Sequence, residues 1–281
     1  RVLDGKSPHF LGFDTRGTQQ TELGYLVANN VIRKAAFEVA SSMPSIEIIS
    51  DAAVSGVATT ADAAEVRLAD GRNLEAPLMV AADSRFSDAR RRMGIGADMR
   101  DFGRTVIVCR LSHELPHNGI AHECFHYGRT LAVLPLNGLV SSAVITLSAD
   151  QSNAMMQMPV PEFEKLVTEQ FESRLGPMRL VGERHSYPLV AVYAQRFVAH
   201  RFALLGDAAV GMHPVTAHGF NCGLYGVASL TRALRGARAA GRDIGSMSVL
   251  TRYQSEHRRA TRPIYLGTNV LVGLFTDDQM P

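Results

Sequence analysis

The sequence predicts an α/β fold that carries an inserted antiparallel sheet. An apolar stretch at 78–82 ends in Asp83, and a second at 202–205 ends in Gly206-Asp207. Each is followed by a polar turn and a helical pattern, as expected of strands buried within a parallel sheet. Between them, residues 104–111, 120–126, 130–136 and 139–147 read as successive strands, an antiparallel meander. The order α/β, sheet, α/β places the meander inside the α/β fold.

Residues 1–28 alternate loosely around Gly5, Gly12, Gly17 and Gly24, which suggests strands near 9–14 and 23–28. The run NNVIRKAAFEVASS (29–42) predicts a helix capped by Asn29 or Asn30, with Ile32, Ala35, Ala36 and Val39 on one face. A short strand is expected at 46–49. A hairpin of 53–59 with 64–68 follows, and the turn Asp70-Gly71 leads through Leu74 into 78–82. Beyond the meander, 161–175 has helical period, with Pro161 in its first turn and Phe163, Leu166, Val167, Gln170 and Phe171 sharing a face. A strand at 186–193 precedes the second acid-tipped strand, and helices at 219–236 and 247–275 finish the chain. The expected division is 1–28 (strands of the sheet domain), 29–100 (α/β), 101–195 (mainly antiparallel sheet) and 196–281 (α/β with C-terminal helices).

Bulk properties exclude several classes of function. A chain of 281 residues, 46% hydrophobic and 20% charged, is an ordinary globular composition for one or two domains. A net charge of +2, with the basic residues scattered apart from Arg90-Arg91-Arg92 and Arg258-Arg259, argues against nucleic acid as a partner. Cys109, Cys124 and Cys222 are far apart and form no CxxC, which argues for a reducing, cytoplasmic setting and against a disulfide framework. No apolar run approaches the roughly 20 residues that span a bilayer, and no secretory signal peptide is visible.

One histidine-rich stretch invites a metal reading: His113, His117, His122, Cys124 and His126. On a strand, His122, Cys124 and His126 share a face, but same-face neighbours stand about 7 Å apart. Three in a row would be strained around one ion with bonds near roughly 2.0–2.3 Å. No metal site is expected. Core or solvated histidines, or a strand facing a substrate pocket, account for them.

Residues 201–223, RFALLGDAAVGMHPVTAHGFNCG, carry the most chemistry. A strand delivers Asp207 to the mouth of a loop, and the loop feeds a helix start at Gly219-Phe220-Asn221. Free backbone N–H groups and the positive end of the helix dipole favour an anionic or electron-rich ligand there. This string resembles the second FAD fingerprint of the class A flavin monooxygenases, in the branch of the ubiquinone-biosynthesis hydroxylases, relatives of para-hydroxybenzoate hydroxylase. The run Asp83-Ser84-Arg85-Phe86-Ser87-Asp88-Ala89-Arg90 likewise resembles that family's DG motif, G-A-D-G-x-x-S-x-V-R. The stretch Arg252–Arg259, with the apolar 268–275 after it, resembles the branch's C-terminal helices; a plain packing helix accounts for it best, with a homodimer contact or a lipid-like substrate at the apolar end 271–275 as alternatives.

The resemblance implies a partial Rossmann-like FAD-binding domain with an inserted antiparallel-sheet substrate domain, the flavin lying between them. It assigns Asp207 to the ribityl hydroxyls, with Gly206 beside it in the cofactor site, Pro214 to the ring face, and Gly219, Phe220 and Asn221 to the pyrimidine end of the ring. Asp83, and less directly Ser87 and Arg90, fall near the diphosphate and the reduced nicotinamide. It implies hydroxylation of an aromatic phenol or quinol precursor, in which NAD(P)H reduces FAD and O2 forms a C4a-hydroperoxide. No acid–base residue is marked. The chain departs from the family at Ser84 (usually Gly), at Val210 (usually His) and at Thr216-Ala217-His218 (usually Ala-Gly-Gln). It also lacks a strand-GxGxxG-helix for the ADP half of FAD. Gly94-Ile95-Gly96 has no third glycine, so the chain is expected to be part of something longer. Two rival functions follow: a vestigial flavin fold acting as a binding module without FAD, and a flavin-dependent reductase on the same scaffold.

Overall fold

The computed structural model describes residues 1–4, 9–126, 129–214 and 217–276. Gly5, Thr216 and the side chains of His126 and of residues 271–275 lie outside the described residues. The elements in order are β1 (Val2–Asp4), β2 (Phe10–Leu11), α1 (Asn29–Ser42), β3 (Val54–Thr59), β4 (Ala64–Leu68), β5 (Asn73–Ala76) and β6 (Met79–Ala81). Then come α2 (Asp88–Arg92), β7 (Ala97–His113), β8 (His122–His126), β9 (Arg129–Pro135), β10 (Val140–Ser148), α3 (Ala149–Gln157) and α4 (Val160–Gln170). The last are β11 (Met178–Ala194), β12 (Val198–Ala199), β13 (Phe202–Leu204), β14 (Val210–Gly211), α5 (Gly219–Ala239) and α6 (Met247–Thr276), with a 3-10 turn at Gly206–Ala208. No described helix is long and apolar enough to cross a membrane.

The chain divides into two compact units, Arg1–Ile48 with Gly103–Leu189, and Ile49–Phe102 with Val190–Pro281. The first unit carries the antiparallel sheet, but only β8, β9 and β10 follow the expected meander: β7 pairs with β10 rather than with β8. Its strands lie in the order β11-β7-β10-β9-β8-β1-β2, with β10 antiparallel to both β7 and β9, and β1 added parallel to β8. Along β10 burial alternates strictly, so Ala143, Ile145 and Leu147 point into a core shared with Ile107, Leu111, Leu131 and Val133. Helix α4 seals that core with Phe163 and Val167, fully buried. Helix α3, which sequence reading missed, opens with a capping box: Ser148 and Gln151 bond each other's backbone N–H.

The second unit holds two small sheets, antiparallel β3-β4-β5 and mixed β12-β13-β6. Its core gathers Phe197, Phe202, Leu204, Ala208, Leu250 and Tyr253. Arg201 ties its connections together. The side chain is 6% exposed. Its Nε donates to the Ala61 carbonyl (2.8 Å), Nη1 to the Pro77 carbonyl (2.9 Å) and Nη2 to the Asp243 carboxylate (2.7 Å). Gly245 leaves room for this arrangement, because a Cβ there would lie 2.3 Å from the Pro77 carbonyl oxygen.

Mixed α/β architecture with an antiparallel sheet is therefore what the chain adopts. Some elements differ from expectation. No strand forms at 23–28 or 46–49, and 9–14 keeps only β2, because alternation makes a strand only where a neighbouring backbone takes its hydrogen bonds. Helix α1 has the expected bounds, but its N-cap is Ala28, without a side-chain bond, and none of its residues is buried. The stretch expected to be buried on both faces, β6, has Val80 at 41% exposure and, among the described residues, pairs only with β13.

Candidate functional site

Strands β6 and β13 run parallel, with Phe202 opposite Met79 and Leu204 opposite Ala81. The Leu205 N–H continues the ladder to the Ala81 carbonyl (2.8 Å). Two acid-bearing turns, distant in sequence, thus leave adjacent strands side by side. Ligands of open parallel sheets gather beyond such carboxyl ends.

The first turn is held by Asp83. One carboxylate oxygen accepts from the Ser87 hydroxyl (2.5 Å) and the other from the Ala89 N–H (3.1 Å). Ser87, fully buried, caps α2 by accepting from the Arg90 N–H (3.0 Å). The backbone between them is strained: Ser84 sits at φ +115°, where glycine is at ease and serine is not. Arg90, 3% exposed, points across to the second turn and donates from Nη1 to the Ala208 carbonyl (2.8 Å) and from Nη2 to the Arg85 carbonyl (3.1 Å).

The second turn presents Asp207 just past Gly206, which takes φ +57°. Arg85 meets Asp207 through Nε (3.2 Å) and Nη2 (2.8 Å), both on Oδ2, and donates from Nη1 to the Val190 carbonyl (2.9 Å). Both side chains are about a third exposed. Among the described residues, both arginine bonds fall on Oδ2 and none on Oδ1. Sequence reading singled out Asp207 but not Arg85, since nothing local marks a partner 122 residues away.

Beyond the turn lie His213-Pro214 and, after residues outside the described ones, the start of α5. His213 is 8% exposed, with its ring edge-on to Phe102 at 4.9 Å. Burial, with Arg100 nearby, lowers its pKa to about 4, so the imidazole is neutral. Ala217, like Ser84, holds a left-handed backbone, φ +51°, at a position where the family it resembles usually has glycine. The first internal bond of α5 runs from the Cys222 N–H to the His218 carbonyl (2.9 Å). The amides of Gly219, Phe220 and Asn221 precede that bond, at the end of the helix where α5 itself offers them no acceptor. Phe220 and Asn221 are exposed, as is Pro214.

Helix and turn approach closely at glycines. A Cβ on Gly223 would come within 3.8 Å of the Gly206 Cα, whereas Cβ atoms built on Gly206 or Gly219 would meet nothing within 4 Å. The backbone at those two positions is open to a ligand. The chemistry on offer is a carboxylate oxygen, glycine-lined backbone and the positive end of a 21-residue helix. That set suits a polyhydroxyl chain joined to an electron-rich ring.

The described histidines of the histidine-rich stretch make hydrogen bonds and ring contacts within the protein. His113 bonds the Leu115 carbonyl (2.8 Å) and the Ser141 hydroxyl (3.0 Å), and His117 bonds the Leu136 carbonyl (2.9 Å). His122 stands edge-on to Phe171 at 5.3 Å, and Cys124 is buried. Among the described residues no group of three His, Cys, Asp or Glu could hold a metal ion.

The profile of the FAD binding domain family matches residues 17–265. The chain belongs to this FAD-binding family. It is 45% identical to ubiquinone hydroxylase UbiM of Neisseria meningitidis over 285 residues, covering all of this chain and 62% of that protein. Ubiquinone hydroxylase UbiL of Rhodospirillum rubrum is 36% identical over 281 residues, again all of this chain and 65% of that protein. The chain thus spans less than two thirds of these relatives. Among solved structures, PqsL of Pseudomonas aeruginosa, a probable FAD-dependent monooxygenase, superposes with a TM-score of 0.71 at 21% identity, over 88% of this chain and 70% of that one. That likeness is one of fold.

Proposed function

We propose that this chain forms the flavin-ring side of an FAD-dependent monooxygenase that hydroxylates an aromatic phenol or quinol precursor, with NAD(P)H as electron donor. The observation that carries the reading is the pair of acid-bearing turns locked together by Arg85 and Arg90 beside the start of α5. Its support is the family match and the likeness to ubiquinone hydroxylases. In this reading Asp207 Oδ1 accepts from ribityl hydroxyls, and the open backbone at Gly206 admits the chain that bears them. The amides of Gly219, Phe220 and Asn221 receive the electron-rich end of the ring, and Pro214 bounds its face. Asp83, already bonded to Ser87 and Ala89, shapes the turn nearest the diphosphate.

The chemistry that bound FAD supplies is reduction by a nicotinamide and transfer of one oxygen atom from O2 to an aromatic ring. The protein's part is orientation and electrostatics. The helix start stabilises negative charge where it develops, without reorganising at the moment of reaction. Arg85 offsets the charge of Asp207 and fixes the carboxylate through two hydrogen bonds to Oδ2.

Titration of the full-length gene product with FAD, followed by quenching of flavin fluorescence, tests the reading. Binding is expected, and Asp207→Asn should weaken it about tenfold, the size of one hydrogen bond to a charged group. Oxidation of NAD(P)H accompanied by a product one oxygen atom heavier identifies a hydroxylase, and oxidation without that product identifies a reductase. One set of observations favours the rival binding module. Arg85 already occupies one oxygen of Asp207, both oxygens of Asp83 are engaged, and Ser84 is strained. A full-length product that takes up no FAD establishes that rival.

A further inference from the structure

We infer that Tyr253 and His257 on α6 are positioning residues that set the spacing between the Asp207 turn and the first turn of α5. The inference rests on the flavin reading only for its functional consequence.

Tyr253 is fully buried and donates its hydroxyl proton to the Leu204 carbonyl (2.5 Å), at the tip of β13 just before Gly206-Asp207. One helical turn on, His257, 1% exposed, places Nδ1 3.0 Å from that hydroxyl and Nε2 3.2 Å from the Cys222 carbonyl. Cys222 lies in the first turn of α5. Two side chains at i and i+4 on one face of α6 therefore reach both walls of the candidate site. Phe197 stands edge-on to the imidazole at 5.3 Å and restricts its rotation.

Helix α5 is shaped to admit this ring. A Cβ at Gly226 would lie 2.6 Å from His257 Cε1, so only glycine lets the imidazole reach past to the Cys222 carbonyl. Gly219, Gly223 and Gly226 recur at helical spacing. Gly223 meets the Gly206 turn and Gly226 meets His257. One glycine face of α5 thus touches both the loop that carries Asp207 and the ring that fixes the distance to it. A merely packed core would be served by an apolar residue at 257. A buried imidazole aimed at two defined polar atoms specifies position.

The test uses His257→Phe, His257→Gln and Tyr253→Phe in the full-length protein. Two readouts are followed: FAD affinity with the visible spectrum of the bound flavin, and amide hydrogen exchange at 205–208 and 219–223 without FAD. In His257→Phe, exchange at both segments should quicken about tenfold and FAD bind about tenfold more weakly, with a shifted flavin band. His257→Gln, which keeps a donor, should recover part of each change. Tyr253→Phe keeps the ring volume and provides the same test if His257→Phe does not fold. Altered exchange in a protein that never binds FAD supports the positioning role and sinks the flavin reading. Unchanged exchange with unchanged FAD binding overturns the positioning role and leaves the flavin reading standing. Loss of stability with wild-type exchange at these segments, a wild-type flavin spectrum and no recovery by glutamine also overturns it.

Discussion

Replacing Ser84 by glycine should stabilise this protein. Ser84 holds φ +115° at the tip of the first turn. A non-glycine residue in such a region costs about 1–3 kcal/mol. Glycine removes that strain but adds about 0.4–1 kcal/mol of unfolded-chain entropy. The hydrogen bond that Ser84 makes to the turn uses its carbonyl, which accepts from the Ser87 N–H (3.1 Å), and glycine keeps it. The side chain is exposed, so little packing is lost. The net gain is then about 1 kcal/mol, a rise in Tm of about 2 °C for a chain of this size. Urea and thermal unfolding followed by circular dichroism measure it, with Ser84→Ala as control. Alanine keeps the strain and should change stability by less than about 0.5 kcal/mol. A glycine variant no more stable than wild type, or an alanine variant that gains as much, would refute the reasoning.

Other perturbations follow from the same geometry. Arg90→Met keeps volume but removes the bonds to Ala208 and Arg85, so unfolding should become easier by about 2–4 kcal/mol, read from the urea midpoint. Gly245→Ala forces a Cβ against the Pro77 carbonyl and should cost about 2 kcal/mol or more, seen as a lower Tm. His213 binds a proton more readily unfolded, near pH 6.5, than folded, near pH 4. Its contribution is therefore intact above pH 6.5 and falls away between pH 6.5 and 4, by up to about 3 kcal/mol. Stability curves of wild type and His213→Gln over that range should converge toward pH 4, and parallel curves would contradict the assignment.

Much of the second unit was legible because its signals are local. Asp70-Gly71 marks a turn, and Gly71 indeed takes φ +91°. The two apolar runs ending in aspartate gave β6 and β13, though not that they would pair directly. The capping box Ser148-x-x-Gln151 was readable and was passed over, while α1 was bounded correctly without the cap expected for it. What stayed hidden was long-range. Arg85 finds Asp207 and Arg90 finds Ala208 across more than a hundred residues. Neither charge carries a local hint of its partner. Ser84 and Ala217 look like substitutions that abandon the glycine backbone, yet both keep left-handed φ. The surrounding bonds impose the conformation even where the residue resists it.

Arg201 has a consequence for the order of folding. Its bonds to Ala61 and Pro77 close loops of 140 and 124 residues, and those to Asp243 a loop of 42. Loops of that length close late, after the strands and helices that carry their ends have docked. Interactions absent from the transition state leave the folding rate almost unchanged and act on escape from the native state. Weakening Arg201 should therefore steepen nothing on the refolding limb of a chevron and raise the unfolding limb by nearly the whole loss in stability. Arg201 is thus expected to set how long the second unit stays folded, rather than how fast it gets there.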